Sequence, residues 1–202
     1  VNKIVGFNAH ITVKNYGNPI DKKKINKKNL EFISENIIFS NSGEAIILKN
    51  NTSKGIVLRG YETDNFSSLE IVNNDKFKGN KNQLNRNFIS IGNELSFSLD
   101  LKIGDELTLM SPSGVETIIG SMPKQKTFLV TSIYNSGLAE FDNNIAFINL
   151  STLEDFFDYK SDDRNLEIYL KNPKNIEIIK KKLESIFQDY YVYTWSDLNK
   201  SL

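Results

Sequence analysis

One histidine and no cysteine are available to this 202-residue chain. Thiolate metal sites, disulfides and cysteine nucleophiles are therefore excluded. His10 lies in the partly alternating run 4–13, which reads as a β-strand. A histidine acts as a base only beside an orienting acid and a nucleophile. No Gly-x-Ser-x-Gly elbow is present, and no Gly-x-x-x-x-Gly-Lys-Ser/Thr loop could cradle nucleotide phosphates. His10 thus reads as structural. Asp142 and the pair Asp162–Asp163 could meet a hard cation, but no Asp-x-Asp-x-Asp-Gly loop supports them, and they read as solvated carboxylates. Catalytic residues, metal ligands and cofactors are all expected to be absent. The lysines between Lys22 and Lys28 could favour anionic headgroups. A solvated helix face suits them better in a chain whose 25 basic and 25 acidic residues cancel. The same balance argues against nucleic acid as a partner.

The elements that must position these side chains fall into three parts. The first reads as strand 4–13, then a helix with Leu30, Ile33, Ile37 and Ile38 near one face, then strands at 45–48 and 55–60 joined by a polar turn. The middle part reads as a short helix over 66–73, a polar loop to Asn87, strand 88–91 and helix 93–99. A Gly104-Asp105 turn then feeds a strand ending at Met110. Strands at 127–134 and 144–150 follow, with Ser151 and Glu154 forming a capping box for a helix carrying Leu153, Phe156 and Phe157. The last part alternates as a strand over 165–170. It continues into an amphipathic helix with Ile176, Ile179, Leu183 and Ile186 on one face, and closes as a strand over 191–195. Strand–helix units at both ends around a β-rich insert predict an α+β fold, with one mixed-sheet lobe built from 1–62 and 161–202 and a second lobe over 63–160.

No apolar run approaches the ~20 residues of a membrane helix. The chain starts at Val1, directly in a strand, and reads as a piece of a longer protein from which membrane segments have been removed.

The most unusual segment is 111–126, between the strands ending at Met110 and starting at Thr127. It reads as a loop of about sixteen residues, where hairpin loops usually have two to five. Pro112 and Pro123 frame it, and Val115, Ile118, Ile119 and Met122 are apolar side chains that a linker does not need. It either folds back on its own lobe or offers an apolar surface to a partner.

Several stretches, in this order, resemble one family: Ile91-Gly92-Asn93-Glu94-Leu95, Ile103-Gly104-Asp105, Leu109-Met110-Ser111-Pro112-Ser113-Gly114, Met122-Pro123-Lys124-Gln125-Lys126-Thr127-Phe128, Gly137-Leu138-Ala139-Glu140-Phe141-Asp142 and Ala146-Phe147-Ile148. Gly6-Phe7-Asn8-Ala9-His10 and Val192-Tyr193-Thr194-Trp195 fit the same pattern. Together they resemble the periplasmic domain of LolC/LolE permeases of the lipoprotein-releasing ABC transporter. The resemblance implies a porter-like α/β lobe interrupted by a sabre-like β-rich lobe with a long protruding hairpin, as in the MacB-like periplasmic core. It implies an inner-membrane protein of a Gram-negative bacterium with this domain in the periplasm.

The expected partners are a LolA-like chaperone, lipoprotein cargo, a separate LolD-like ATPase subunit and a second LolC/LolE-type permease. The segment 111–126 would be the hook that recruits LolA, through Pro112, Ser113, Gly114, Val115, Ile118, Ile119, Met122, Pro123, Lys124, Gln125 and Lys126. Ile118, Ile119 and Met122 would anchor the contact, Lys124 and Lys126 would steer an acidic partner, and Gln125 and Lys126 would touch the chaperone beside the hook. The alternative is a MacB-type export permease, whose ectodomain lacks the long hook and docks a periplasmic adaptor.

Overall fold

The structure, a computed structural model, describes residues 8–15, 17–20, 25, 30, 33–49, 52–118 and 120–199. The strands are β1 (Ile11–Asn15), β2 (Ser34–Lys49), β3 (Thr52–Tyr61), β4 (Lys78–Gly79), β5 (Phe88–Gly92), β6 (Glu106–Thr117), β7 (Gly120–Tyr134), β8 (Ile145–Asn149), β9 (Asn165–Leu170) and β10 (Tyr190–Thr194). The helices are α1 (Thr63–Ser68), α2 (Asn93–Ser98), α3 (Ala139–Asn144), α4 (Leu150–Phe157), α5 (Ile176–Ile186) and α6 (Trp195–Asn199). No helix among the described residues is long and apolar enough to cross a membrane.

Two compact units divide the chain, 1–40 with 160–202 and 41–159. The expected boundary at 62/63 thus moves back to 40/41. The cause is packing: Ala45, Ile47, Ile56 and Leu58 share one buried cluster with Leu107, Leu109, Phe128 and Val130. The strand pair at 45–60 therefore belongs with the insert.

In the first unit the strand order is β10-β1-β9-β2, and every pairing is antiparallel. The expected mixed sheet is antiparallel among the described residues. Ile11, Val13, Leu166, Ile168 and Val192 form its buried face, closed by Leu183 and Phe187 at the end of α5. Phe187 is fully buried, and truncating such a side chain to alanine costs ~3–5 kcal/mol. The predicted helix carrying Ile37 and Ile38 is not observed. Both residues lie in β2, where Ile37 pairs with Ile168 and Ile38 with Glu167. β-branched neighbours fit a pleated surface better than a helix. The remainder of that expected helix, with Lys22–Lys28, lies mostly outside the described residues.

In the second unit β2, β3, β8, β5, β7 and β6 pair in a closed cycle. The ring is mixed, since β3–β8 and β5–β7 are parallel. A closed ring of six strands leaves room inside only for side chains. Ile47, Leu58, Ile89, Ile91, Leu109, Phe128 and Ile148 are among those in the buried cluster. Closure also removes the exposed edges a small open sheet would present.

α4 covers this core with Leu153, Phe156 and Phe157. Its N-cap is Asn149 rather than the expected Ser151: Asn149 Oδ1 accepts from the Ser151 amide at 3.0 Å. The carboxamide sits one residue before the first turn, where an orphan N–H is in reach. α3 lies within a stretch that carried no helical periodicity, and it begins just after the turn at Gly137. In all, the chain is α+β, a porter-like unit from both ends and a sabre-like β-rich unit with a long hairpin.

Candidate functional site

The segment 111–126 is not a loop. β6 and β7 continue through it as one hairpin, pairing from Glu106↔Leu129 to Thr117↔Gly120. Pro112 lacks an N–H and cannot serve an ordinary ladder position. The hairpin absorbs it in a register shift between Met110 and Gly114, after which Gly114 pairs with Pro123. Prolines that read as loop borders therefore sit inside strands. At the far end Gly120 takes φ +116, where a built Cβ would meet nothing within 4 Å. Backbone conformation, rather than space, favours glycine in that closing turn.

The two halves of the hairpin have opposite environments. Near its base Leu107, Leu109, Phe128 and Val130 are buried in the barrel core, and β6 also pairs with β2 at Thr108, Leu109 and Met110. Beyond Met110 and Gln125 no further strand pairs with either arm among the described residues. There Ile118 is fully exposed and Met122 is 54 % exposed. Pro112, Pro123 and Gln125 are exposed as well, and Gly114 is half-buried. Ser113 and Val115 lie on β6, while Ile119 falls outside the described residues. Burying an exposed isoleucine or methionine yields ~1.5–3 kcal/mol, so this tip leaves apolar surface unused within its own unit.

The two lysines of the outer arm differ. Lys124 Nζ donates to Asp158 Oδ1 at 2.5 Å and to the Asp155 carbonyl at 2.9 Å. It thus fastens β7 to the C-terminal end of α4. Asp158 is there because it ends α4 in the left-handed conformation, φ 57. Lys126 lies over the Phe128 ring, 6.0 Å from its centroid, with its neighbour Thr127 exposed. Sequence spacing gave no sign of the Asp158 tie, which spans 34 positions.

A groove of about 300 Å³ runs beside the hairpin base, between Glu44–Ile46, Gly55–Val57, Pro112 and Asn144. A wider recess of about 650 Å³ lies along Val72–Asn74, Phe77 and Gly79–Asn82. Its amides serve the loop itself: Asn73 donates to the Leu69 carbonyl, and Asn80 accepts from the Asn82 amide.

His10 and the acids take structural places. His10 Nδ1 accepts from the Leu170 amide at 2.9 Å, which requires the neutral ring. Burial pushes its pKa below the ordinary histidine value, opposed by the Glu35 carboxylate. Asp142 is buried and accepts from the Ser136 amide at 3.0 Å and the Ser136 hydroxyl at 2.5 Å. Burial raises its carboxyl above the usual carboxylate range, with the Ser136 hydrogen bonds opposing. Asp163 accepts from the Lys160 amide. No group of three or more His, Cys, Asp or Glu among the described residues could hold a metal ion.

No protein-family model matches the chain. In sequence it is similar to the lipoprotein-releasing system transmembrane protein LolC of Neisseria meningitidis serogroup B, 25 % identical over 115 residues, which covers 56 % of this chain and 28 % of that protein. It is also similar to LolC of Xylella fastidiosa, 29 % identical over 66 residues, 33 % of this chain and 16 % of that one. The match thus spans less than a third of these relatives' length. Among solved structures, the periplasmic region of MacB from Actinobacillus actinomycetemcomitans superposes with a TM-score of 0.56 at 12 % identity, over 97 % of this chain and 92 % of that one. The extracellular domain of the noncanonic ABC-type transporter YknZ from Gram-positive bacteria gives 0.52 at 14 % identity, over 91 % and 100 %. The fold is therefore that of MacB-like ABC transporter ectodomains. In sequence the chain is thus similar to LolC permeases over part of its length, and in fold it is like the MacB-type ectodomains.

Proposed function

We propose that this domain serves an inner-membrane permease that releases lipoproteins and passes them to a LolA-like periplasmic chaperone held at the β6–β7 hairpin. The carrying observation is the hairpin itself, buried at its base and ending in exposed Ile118 and Met122. Transfer of acyl chains through water costs ~0.8 kcal/mol per CH₂, so a receiving protein must already be in place when cargo leaves the membrane. A small apolar tip with a basic residue beside it suits a reversible contact of about micromolar Kd, ~−8 kcal/mol. ATP hydrolysis would reside in a separate LolD-like subunit, and a second LolC/LolE-type permease would complete the transporter. In this arrangement the domain itself performs no catalysis.

Pull-down of LolA by the 202-residue chain and by a variant with 112–124 replaced by a short turn tests the reading. Capture by the intact chain and loss with the hairpin is the expected result. Equal capture by both would overturn it. The MacB-type reading, with an adaptor in place of LolA, is less favoured because the sequence relatives are LolC proteins.

A further inference from the structure

His10 is the chain's single histidine, and it stands where the β1–β9 ladder stops. That ladder runs from Val13↔Leu166 to Ile11↔Ile168. Past it a side chain takes over from the backbone: the Leu170 amide donates to His10 Nδ1 at 2.9 Å. Leu170 ends β9 and is 2 % exposed, so water is no ready substitute for that acceptor. The His10 carbonyl accepts from the Trp195 amide at 3.1 Å, beside the Ile11↔Thr194 pair of β1 and β10. One residue thus joins the start of β1, the end of β9 and the start of α6.

Nδ1 has one lone pair in the ring plane and accepts only while unprotonated. A proton there turns the acceptor into a donor that faces the Leu170 N–H. Turning the ring over brings a C–H to the amide and loses the bond as well. The neighbours do little to hold a proton on the ring. Glu35 of β2 is exposed, and its pull is outweighed by burial. From β9, Tyr169 meets the ring at 81° with centroids 6.4 Å apart. Its hydroxyl donates to Glu167, which also accepts from the Ser40 hydroxyl. Lys171, the cation that follows β9, would only oppose protonation. Asp197 of α6 is taken by Lys180 and Thr194.

We propose that His10 is an acid-operated latch: under mild acidification Nδ1 takes a proton from solvent, the Leu170 amide loses its acceptor, and the end of β9 parts from the start of β1. Burial favours the neutral ring in the folded state. The latch is therefore closed above the ordinary histidine value of about 6.5 and opens as pH falls through the lower folded value. It lies in the first unit and is independent of chaperone capture at the hairpin.

With one histidine in the chain, the imidazole signals in nuclear magnetic resonance belong to His10, and the Leu170 amide can be followed beside them. The test compares the 202-residue chain at about pH 7.5 and about pH 5. The Leu170 amide resonance is expected to move on the same curve as the imidazole. Its hydrogen-exchange protection, corrected for the intrinsic rate, should fall about tenfold at the lower pH. Val130 in the second unit should keep its own. His10→Asn offers a carboxamide oxygen that does not titrate, and it should keep Leu170 protected at both pH values. His10→Phe keeps a ring without an acceptor and should leave Leu170 weakly protected at both. Equal protection of Leu170 at the two pH values in the parent, a fall that His10→Asn shares, or protection untouched by His10→Phe would overturn the latch. An equal loss at Val130 would overturn it too, since that marks acid unfolding of the whole chain.

Discussion

Lys124 Nζ lies 2.5 Å from Asp158 Oδ1, joining the outer arm of the β6–β7 hairpin to the residue that ends α4. The lysine side chain is 28 % exposed and the aspartate 72 %. Such a pair is worth about 0–1 kcal/mol in stability. Its consequence is geometric, because neither arm has another strand beside it beyond Met110 and Gln125 among the described residues. Lys124→Ala should therefore leave the melting temperature nearly unchanged while hydrogen exchange quickens at the outer-arm amides. Unaltered exchange in that variant would show that the hairpin keeps its pose without the tie.

Ile118 separates docking from folding. It is fully exposed, so Ile118→Ser removes nothing from the core and should not lower stability. If the tip anchors a chaperone, the same change should weaken capture by about tenfold, since anchors at small interfaces cost more than 1 kcal/mol on truncation. Lys126→Glu should weaken capture as well, chiefly by slowing association, and more so at low salt. Capture that survives both changes would assign the tip another role.

The residues explain what was legible beforehand. β9 alternates, α5 repeats its apolar residues every three or four positions, and the segment at Phe88–Ile91 is a short apolar run; all three lie where the pattern placed them. Ile37 and Ile38 misled because four apolar residues at 30, 33, 37 and 38 satisfy a helical spacing, while the pairing that makes them strand comes from β9, some 130 positions away. Pro112 and Pro123 misled in the opposite way. Proline ordinarily breaks a ladder, but the register shift before Gly114 and the unpaired outer edges accommodate both. The apolar tip was legible from composition alone. The Lys124–Asp158 tie and the ring closure through β2 and β6 were not, because both join segments whose spacing in sequence carries no period.

Gly92 tests how tightly the second unit is built around Asp142. A Cβ on Gly92 would lie 2.0 Å from the Asp142 carbonyl oxygen and 2.5 Å from its carbonyl carbon. The obstacle is backbone, and it cannot yield freely because the Asp142 carboxylate is held by the Ser136 amide and hydroxyl. Gly92→Ala should destabilise by about 3 kcal/mol or more, as overpacking against a fixed backbone does. Thermal or urea unfolding reads this directly. A loss within about 0.5 kcal/mol would mean that α3 shifts readily, and that the buried carboxylate does not fix it.

Asp197 supplies the pH dependence. Its Oδ2 accepts from Lys180 Nζ at 2.8 Å, from the Thr194 amide at 2.9 Å and from the Thr194 hydroxyl at 2.9 Å. The lysine hydrogen bond first, then the Thr194 amide, hold its pKa at about 2, below the ordinary 3.8. A carboxyl depressed in the folded state stabilises it above the unfolded value, and that contribution fades as pH falls from near 4 toward 2. Because both side chains stay partly exposed, 22 % and 29 %, solvent screening reduces the contribution to about 1 kcal/mol. Asp197→Asn should then lower the melting temperature by about 2–4 °C at neutral pH. The gap between variant and parent should close as the pH approaches about 2, where the parent carboxylate is itself half protonated. A gap of the same size at both ends of that range would mean that the charge on Asp197 is not what secures α6 to α5.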